Sequence, residues 1–225
     1  MLQELNLAKI AEEIEAPYYL VPLVSLGAVD LSVFICEGPK TWRRSAEHDE
    51  TLMVLEGVIT LEDKDGKTVV GEGEIARIPA KVGLSYFSGM RSTVVLAQEK
   101  GFLSGTNGYK APGDEDTAVH KQHVAGDVRA ATPFEWQRVG VTGGYAVSAT
   151  RLQGEGEPYV VPPGSLVLLV YRGVLDYATP DASGSVVGSQ VLVVPSGTRV
   201  TLSSERGATI VALARKGAPL PERRV

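Results

Sequence analysis

The chain repeats itself. Glu56-Gly57-Val58 returns as Arg172-Gly173-Val174, Pro79 as Pro195 and Lys100-Gly101 as Lys216-Gly217; the offsets 173 − 57, 195 − 79 and 217 − 101 are all 116 residues. Unrelated segments have no reason to hold one spacing over such a length. The period far exceeds the roughly 20–50 residues of a solenoid unit, so it marks a duplicated domain. Between the first two anchors, Val69-Val70-Gly71 and Val186-Val187-Gly188 stand 117 apart, which reads as one residue inserted in a hairpin and removed before the proline. The duplication divides the 225 residues into copies at 1–110 and 125–225, joined by a linker at 111–124. Gly, Pro and the acidic run Asp114-Glu115-Asp116 give that joint a polar, turn-rich texture.

Within each copy the pattern is all-β. From Tyr18 onward, short β-branched runs (Ala28 to Cys36, Thr51 to Leu61, Lys67 to Val70, Ile75 to Ile78, Thr93 to Ala97) alternate with turn residues. Asp63-Lys64-Asp65-Gly66 has hairpin-turn chemistry, because Asp and Gly tolerate the backbone angles of tight turns. Only the N-terminus differs: Leu5, Leu7, Ile10 and Ile14 have helical spacing and predict one short helix over Leu5 to Ile14.

Composition excludes several partners. A net charge of −5 with scattered basic residues offers no electrostatic footing for nucleic acid or an anionic membrane. Cys36 is the single cysteine, so neither an intrachain disulfide nor a thiolate metal cluster can form. Met1 to Glu15 carries four acidic residues and no long apolar run, unlike a secretion signal or a membrane span, and cytoplasm is the expected compartment.

The first copy reads Trp42-Arg43-Arg44-Ser45-Ala46-Glu47-His48-Asp49-Glu50, then Val54-Leu55-Glu56-Gly57, then Gly73-Glu74-Ile75-Ala76-Arg77-Ile78-Pro79. This resembles the cupin superfamily, in particular the small mannose-6-phosphate-isomerase-related cupins, over about residues 8–101; the spacings from Glu50 to Gly57 and from Gly73 to Pro79 both fit. The resemblance implies two tandem jelly-roll β-barrels, each closing on a central cavity where such proteins hold ligands. Three histidines and a glutamate usually bind a metal there. Counted by spacing, the histidine positions fall on Arg43, Ser45 and Leu84, and only Glu50 remains; an arginine keeps its proton and offers no lone pair, and leucine has none. In the second copy the same count gives Tyr159, Val161, Leu166 and Val200. The expectation is a metal-free double cupin with no cofactor and degenerate motifs in both halves.

Three readings follow. In the first, the protein binds or senses a small polar or anionic molecule, or serves an accessory role, with Arg43, Ser45, Glu50, Leu84 and Tyr86 lining the first cavity. An Arg43–Glu50 ion pair could equally be structural. In the second it is a metal-independent sugar isomerase or epimerase using His48 as base with Glu50, although a loop histidine more often faces solvent. The third is a metal-dependent enzyme with non-standard ligands. His120 and His123 form the one close histidine pair, in a stretch that reads as linker, where surface histidines are ordinary. Cys36 reads as a small buried side chain rather than a nucleophile. Trp42, Tyr86 and Phe87 could border the cavity mouth, but aromatic residues in a barrel fill core by default. The glycine stretches Gly71-Glu72-Gly73 and Gly154-Glu155-Gly156 read as hairpin turns, and since neither precedes a helix they are not phosphate loops. Two assemblies stay open: a homodimer to which the N-terminal helix or the Ala28 to Cys36 strand contributes, or two barrels that pack on each other within the chain.

Overall fold

The computed structural model describes residues 2–44, 49–80, 82–100 and 118–224. Strand β1 (Gln3–Asn6) and helix α1 (Leu7–Glu12) open the chain. The first barrel then builds β2 (Val21–Leu26), β3 (Val29–Arg44), β4 (Glu50–Glu56), β5 (Val58–Glu62), β6 (Lys67–Gly71), β7 (Glu74–Ile78) and β8 (Gly83–Glu99). After β9 (His120–His123) and α2 (Val124–Asp127), the second barrel repeats the series. Its strands are β10 (Gln137–Thr142), β11 (Tyr145–Glu155), β12 (Tyr159–Val160), β13 (Leu166–Arg172), β14 (Val174–Ala178), β15 (Ser183–Val187), β16 (Gln190–Val194) and β17 (Arg199–Arg215).

The strand pairs named below are antiparallel. In the first barrel the long strand β8 pairs with β3 along most of its length, while its C-terminal half also pairs with β4 and its N-terminal half with β5. One bent strand thereby serves two sets of neighbours, which is how a jelly roll limits exposed edges. Strand β17 plays the same part in the second barrel, pairing with β11, β13 and β14. The run Thr51 to Leu61, read as one strand, is two: Gly57, at φ 87, breaks it into β4 and β5. The hairpin read at Asp63 to Gly66 is present, with Asp63 Oδ1 accepting from the amides of Asp65 (2.8 Å) and Gly66 (3.0 Å).

The repeat holds without interruption. Val58 pairs with Gly71 and Val174 with Val187, which is the 116-residue offset on both sides of the hairpin. Val70 and Val186 are both fully buried. The one-residue insertion read from the two Val-Val-Gly triplets is therefore absent; a shift of one would turn every side chain of the strand to the opposite face, and burial fixes the true register. Neither glycine stretch is a hairpin turn. Gly71-Glu72-Gly73 links β6 to β7, which pair with β5 and β4 respectively, and Gly154 and Glu155 lie in β11 at a bulge opposite Ser204 and Ser203.

The two compact units do not follow chain order. One holds Lys9–His123 with Val141–Gly143; the other holds Met1–Ala8, Val124–Gly140 and Gly144–Val225. The first eight residues thus belong to the second barrel, not to the first as the boundaries 1–110 require. Leu5 lies in β1, paired with Val191 of β16, so the helix begins at Leu7 rather than Leu5. The open backbone edge of β16 outweighs the local helical spacing, because unpaired strand groups demand partners. β9 does the same for β7: Glu74 faces His123 and Arg77 faces His120. His120 and His123 therefore sit on an exposed edge strand and not in a linker.

Each barrel has its own core. Leu52, Val54, Ile59, Leu61, Ile78 and Val94 fill the first. Their 116-residue counterparts Leu168, Val170, Leu175, Tyr177, Val194 and Ile210 fill the second. Among the described residues, no helix is long and apolar enough to cross a membrane.

Candidate functional site

Side chains alternate across a strand, so those sharing parity with the core residues point into the barrel. Glu50 has the parity of Leu52 and Val54, faces Ile78 across the ladder and is fully buried. It is an inward-facing carboxylate. Tyr86 and Leu84 also face inward, 2% and 0% exposed, within the first core. The backbone of Arg43 lies in register with Leu84, while the Arg43 side chain, Ser45 and His48 lie outside the described residues. Phe87, one residue from Tyr86, takes the opposite face, 49% exposed beside Thr60, and points away from the first core.

Sequence reasoning missed two members of this interior. Lys40 is in register with Tyr86, and its Nζ lies 5.2 Å from the ring centroid of Tyr18 and 5.9 Å from that of Tyr86. Both distances are within the range where an ammonium is attracted by an aromatic face. Tyr18 is held in place by its backbone: φ is 64°, and its amide donates to the Ile35 carbonyl at 2.7 Å. Its phenol donates to the Gly38 carbonyl and accepts from Cys36 Sγ at 3.4 Å. Burial, together with the hydrogen bond from Cys36, drives that phenol's pKa far above its ordinary value. Burial also pushes the Cys36 thiol up, against smaller opposing effects of Tyr18 and the Lys40 ammonium. Phe34 completes the group, edge-on to Tyr86 at 6.1 Å.

The second barrel supplies an internal control. By the 116-residue offset, Tyr18 corresponds to Phe134, Cys36 to Leu152, Lys40 to Gly156, Glu50 to Leu166 and Tyr86 to Leu202. Register supports the correspondence: Arg43 faces Leu84 as Tyr159 faces Val200, and Glu50 faces Ile78 as Leu166 faces Val194. Phe134 even shares the left-handed backbone of Tyr18, at φ 66°, with its amide on Arg151 O. Every polar group of the first interior is apolar or missing in the second. Val161, Leu166 and Val200 are packed core, and Tyr159 packs against it with its hydroxyl donating to Pro219 O at 2.8 Å; burial pushes that phenol up to about 12. A signal for Tyr18 and Lys40 was thus present in the sequence, in the repeat extended position by position.

Leu84 places buried hydrocarbon in this interior, and among the described residues no three His, Cys, Asp or Glu side chains are grouped so as to hold a metal ion.

No protein-family model matches the chain, and no curated protein matches it. Solved structures do. A cupin 2 conserved barrel domain protein from Leptotrichia buccalis superposes with a TM-score of 0.70 at 11% identity, covering 95% of this chain and 96% of that one. Salicylate 1,2-dioxygenase from Pseudaminobacter salicylatoxidans superposes with a TM-score of 0.72 at 8% identity, covering 96% and 84%. At such identities the likeness is one of fold: two barrels in one chain, each with the cupin jelly roll.

Proposed function

Taking a double cupin fold as premise, we propose that this is a cytoplasmic binding, sensing or accessory protein. Its first barrel holds a small polar molecule without a metal, and its second barrel is a structural copy. The observation that carries the reading is the difference between equivalent interiors. The second barrel folds with Phe134, Leu152, Gly156, Leu166 and Leu202, so the scaffold itself does not require Tyr18, Cys36, Lys40, Glu50 and Tyr86. Glu50 is fully buried, and taking a carboxylate out of water costs several kcal/mol before its partners offset it; such groups gather at functional sites.

Untagged protein will carry less than a tenth of an equivalent of iron, manganese, nickel and zinc by elemental analysis; stoichiometric metal would refute the reading. In chelator-treated buffer, a thermal-shift screen of small polar metabolites will find a stabilising ligand. At a hundredfold excess over Kd a ligand adds about 2.7 kcal/mol, or roughly 5–10 °C for a chain of this size. Glu50→Gln will remove that shift and Tyr159→Phe will leave it unchanged; the opposite pattern would place the ligand in the second barrel.

A further inference from the structure

We infer that the outer face of the β6–β5–β8–β3 sheet in the first barrel is a contact between two copies of this chain, packed face to face about a two-fold axis. The inference does not depend on what the first barrel binds.

The repeat carries the argument. Across β6, β5, β8 and β3 one outward row reads Val69, Thr60, Phe87 and Pro39, with Val69 52% and Phe87 49% exposed. The equivalent row of the second barrel, held in the same register, reads Ser185, Asp176, Ser203 and Glu155. There Ser185 Oγ donates to Asp176 Oδ1 at 2.5 Å, and Glu155 pairs with Arg224 at 3.1 Å. The fold is thus complete with polar residues at all four positions, yet the first barrel exposes Val69, Phe87 and Pro39 to water. Apolar groups gathered on one exposed face mark a contact surface. The adjoining row does not distinguish the barrels, since Val58 beside Gly71 is matched by Val174 beside Val187.

The charges select a second copy as the occupant. Lys67 stands on this face one row to one side, on β6, and Glu37 one row to the other side, on β3, so they lie at opposite corners of the apolar row. Among the described residues neither has an ion-pair partner. Their counterparts in the second barrel, Ser183 and Gln153, are uncharged. A two-fold axis along the other diagonal sets Lys67 of each copy on Glu37 of the other, closes both pairs at once and crosses the two apolar rows at Thr60 and Phe87. The corners are three strand spacings of about 4.8 Å apart across the sheet and two row spacings of about 6.6 Å along it. Such a diagonal lies at about 45° to the strands, so the strands of the two copies cross at roughly 90°, one of the two angles at which sheets pack. Glu62, opposite Lys67 on β5, faces the same way and leaves each lysine between two carboxylates.

Sedimentation equilibrium of the full chain over about 1–500 μM tests the inference, using variants that carry the second barrel's own residues. Wild type is expected to form a dimer with a Kd below about 100 μM. Phe87→Ser and Thr60→Asp are each expected to weaken it at least tenfold with melting temperatures unchanged, and Val174→Ser, on the equivalent face of the second barrel, to leave it within twofold. Lys67→Glu is expected to weaken the dimer at least fivefold, and Lys67→Glu combined with Glu37→Lys to return it to within threefold of wild type. A chain that stays monomeric throughout overturns the inference and leaves the face to a different protein. It is overturned equally if the dimer survives Phe87→Ser and Thr60→Asp, if assembly continues past two copies, or if the charge-swapped double variant is no tighter than Lys67→Glu.

Discussion

The glycines that anchor the repeat, Gly57 and Gly173, stand at the same turn in the two barrels, with φ 87° and 91°. Replacing either with alanine forces a Cβ into a conformation that costs about 1–2 kcal/mol for an L-residue. What the Cβ meets then differs. At Gly57 it runs into Ser92 Oγ and lies 2.9 Å from Ser92 Cβ. Rotation of the Ser92 side chain clears the hydroxyl, at the cost of its hydrogen bonds to Val58 N (3.1 Å) and the Ser88 hydroxyl (3.0 Å), together about 1 kcal/mol. It leaves the contacts with Ser92 Cβ and Cα (3.1 Å) to be relieved by a shift of a few tenths of an ångström. At Gly173 it runs into the carbonyl oxygen of Gly207 and lies 2.8 Å from Ala208 Cα. Backbone inside the β11–β17 ladder cannot rotate out of the way, so the ladder must shift, which adds a further 2–3 kcal/mol or so. The expected losses are about 2–3 kcal/mol for Gly57→Ala and about 3–5 kcal/mol for Gly173→Ala. Native-state hydrogen exchange read by mass spectrometry on peptides from β8 and β17 follows each barrel separately, because the slowest amides report the opening of their own unit. Equal losses, or a larger loss at Gly57, would refute the claim that the nature of the obstructing atom sets the cost.

Glu74 gives a pH-dependent contact. Although burial raises its pKa, the Gly71 amide at 2.7 Å, Lys121 Nζ at 3.0 Å and the charge of His123 outweigh that and hold it below the ordinary carboxylate value. Its contribution is therefore present above the unfolded-state pKa of about 4.3 and lost as pH falls through the lower folded value. The stability gap between wild type and Glu74→Gln, about 1 kcal/mol at pH 7, should close below about pH 4 in urea titrations; a gap that widens in acid would contradict the assignment. Trp136→Phe removes the donor to Pro221 O, a 2.8 Å bond to a buried residue, and should cost the second barrel about 1–3 kcal/mol in the same exchange measurement with β8 unaffected. Deleting residues 1–6 strips β1 from β16 and Glu4 from the Tyr177 hydroxyl. Exchange should then quicken in Gln190–Val194 rather than in β7, and the bared edge should promote aggregation.

Much of the fold was legible in the sequence. The 116-residue period is a property of the chain alone, and the β-branched runs and the Asp63 turn report local preferences that the fold leaves unchanged. The site was legible in part. Motif spacing pointed to Glu50 and Leu84, both of which face inward, but motifs name positions that carry a known chemistry, and Tyr18 and Lys40 lie outside them. Those two come together across strands, where register decides which side chains share a face. A one-residue misreading of the Val-Val-Gly triplets shows how little the sequence limits register until burial acts on it.

What the sequence determined by itself was the duplication, the β character and the unequal chemistry of the two interiors, since each is set by residue identity at fixed spacing. Tertiary structure alone decided that residues 3–6 form a strand of the second barrel, that His120–His123 forms one of the first, and that Lys40 stands between Tyr18 and Tyr86. In each case the cause is a partner distant in the chain: an unpaired backbone edge for the two strands, and a pair of ring faces for the lysine.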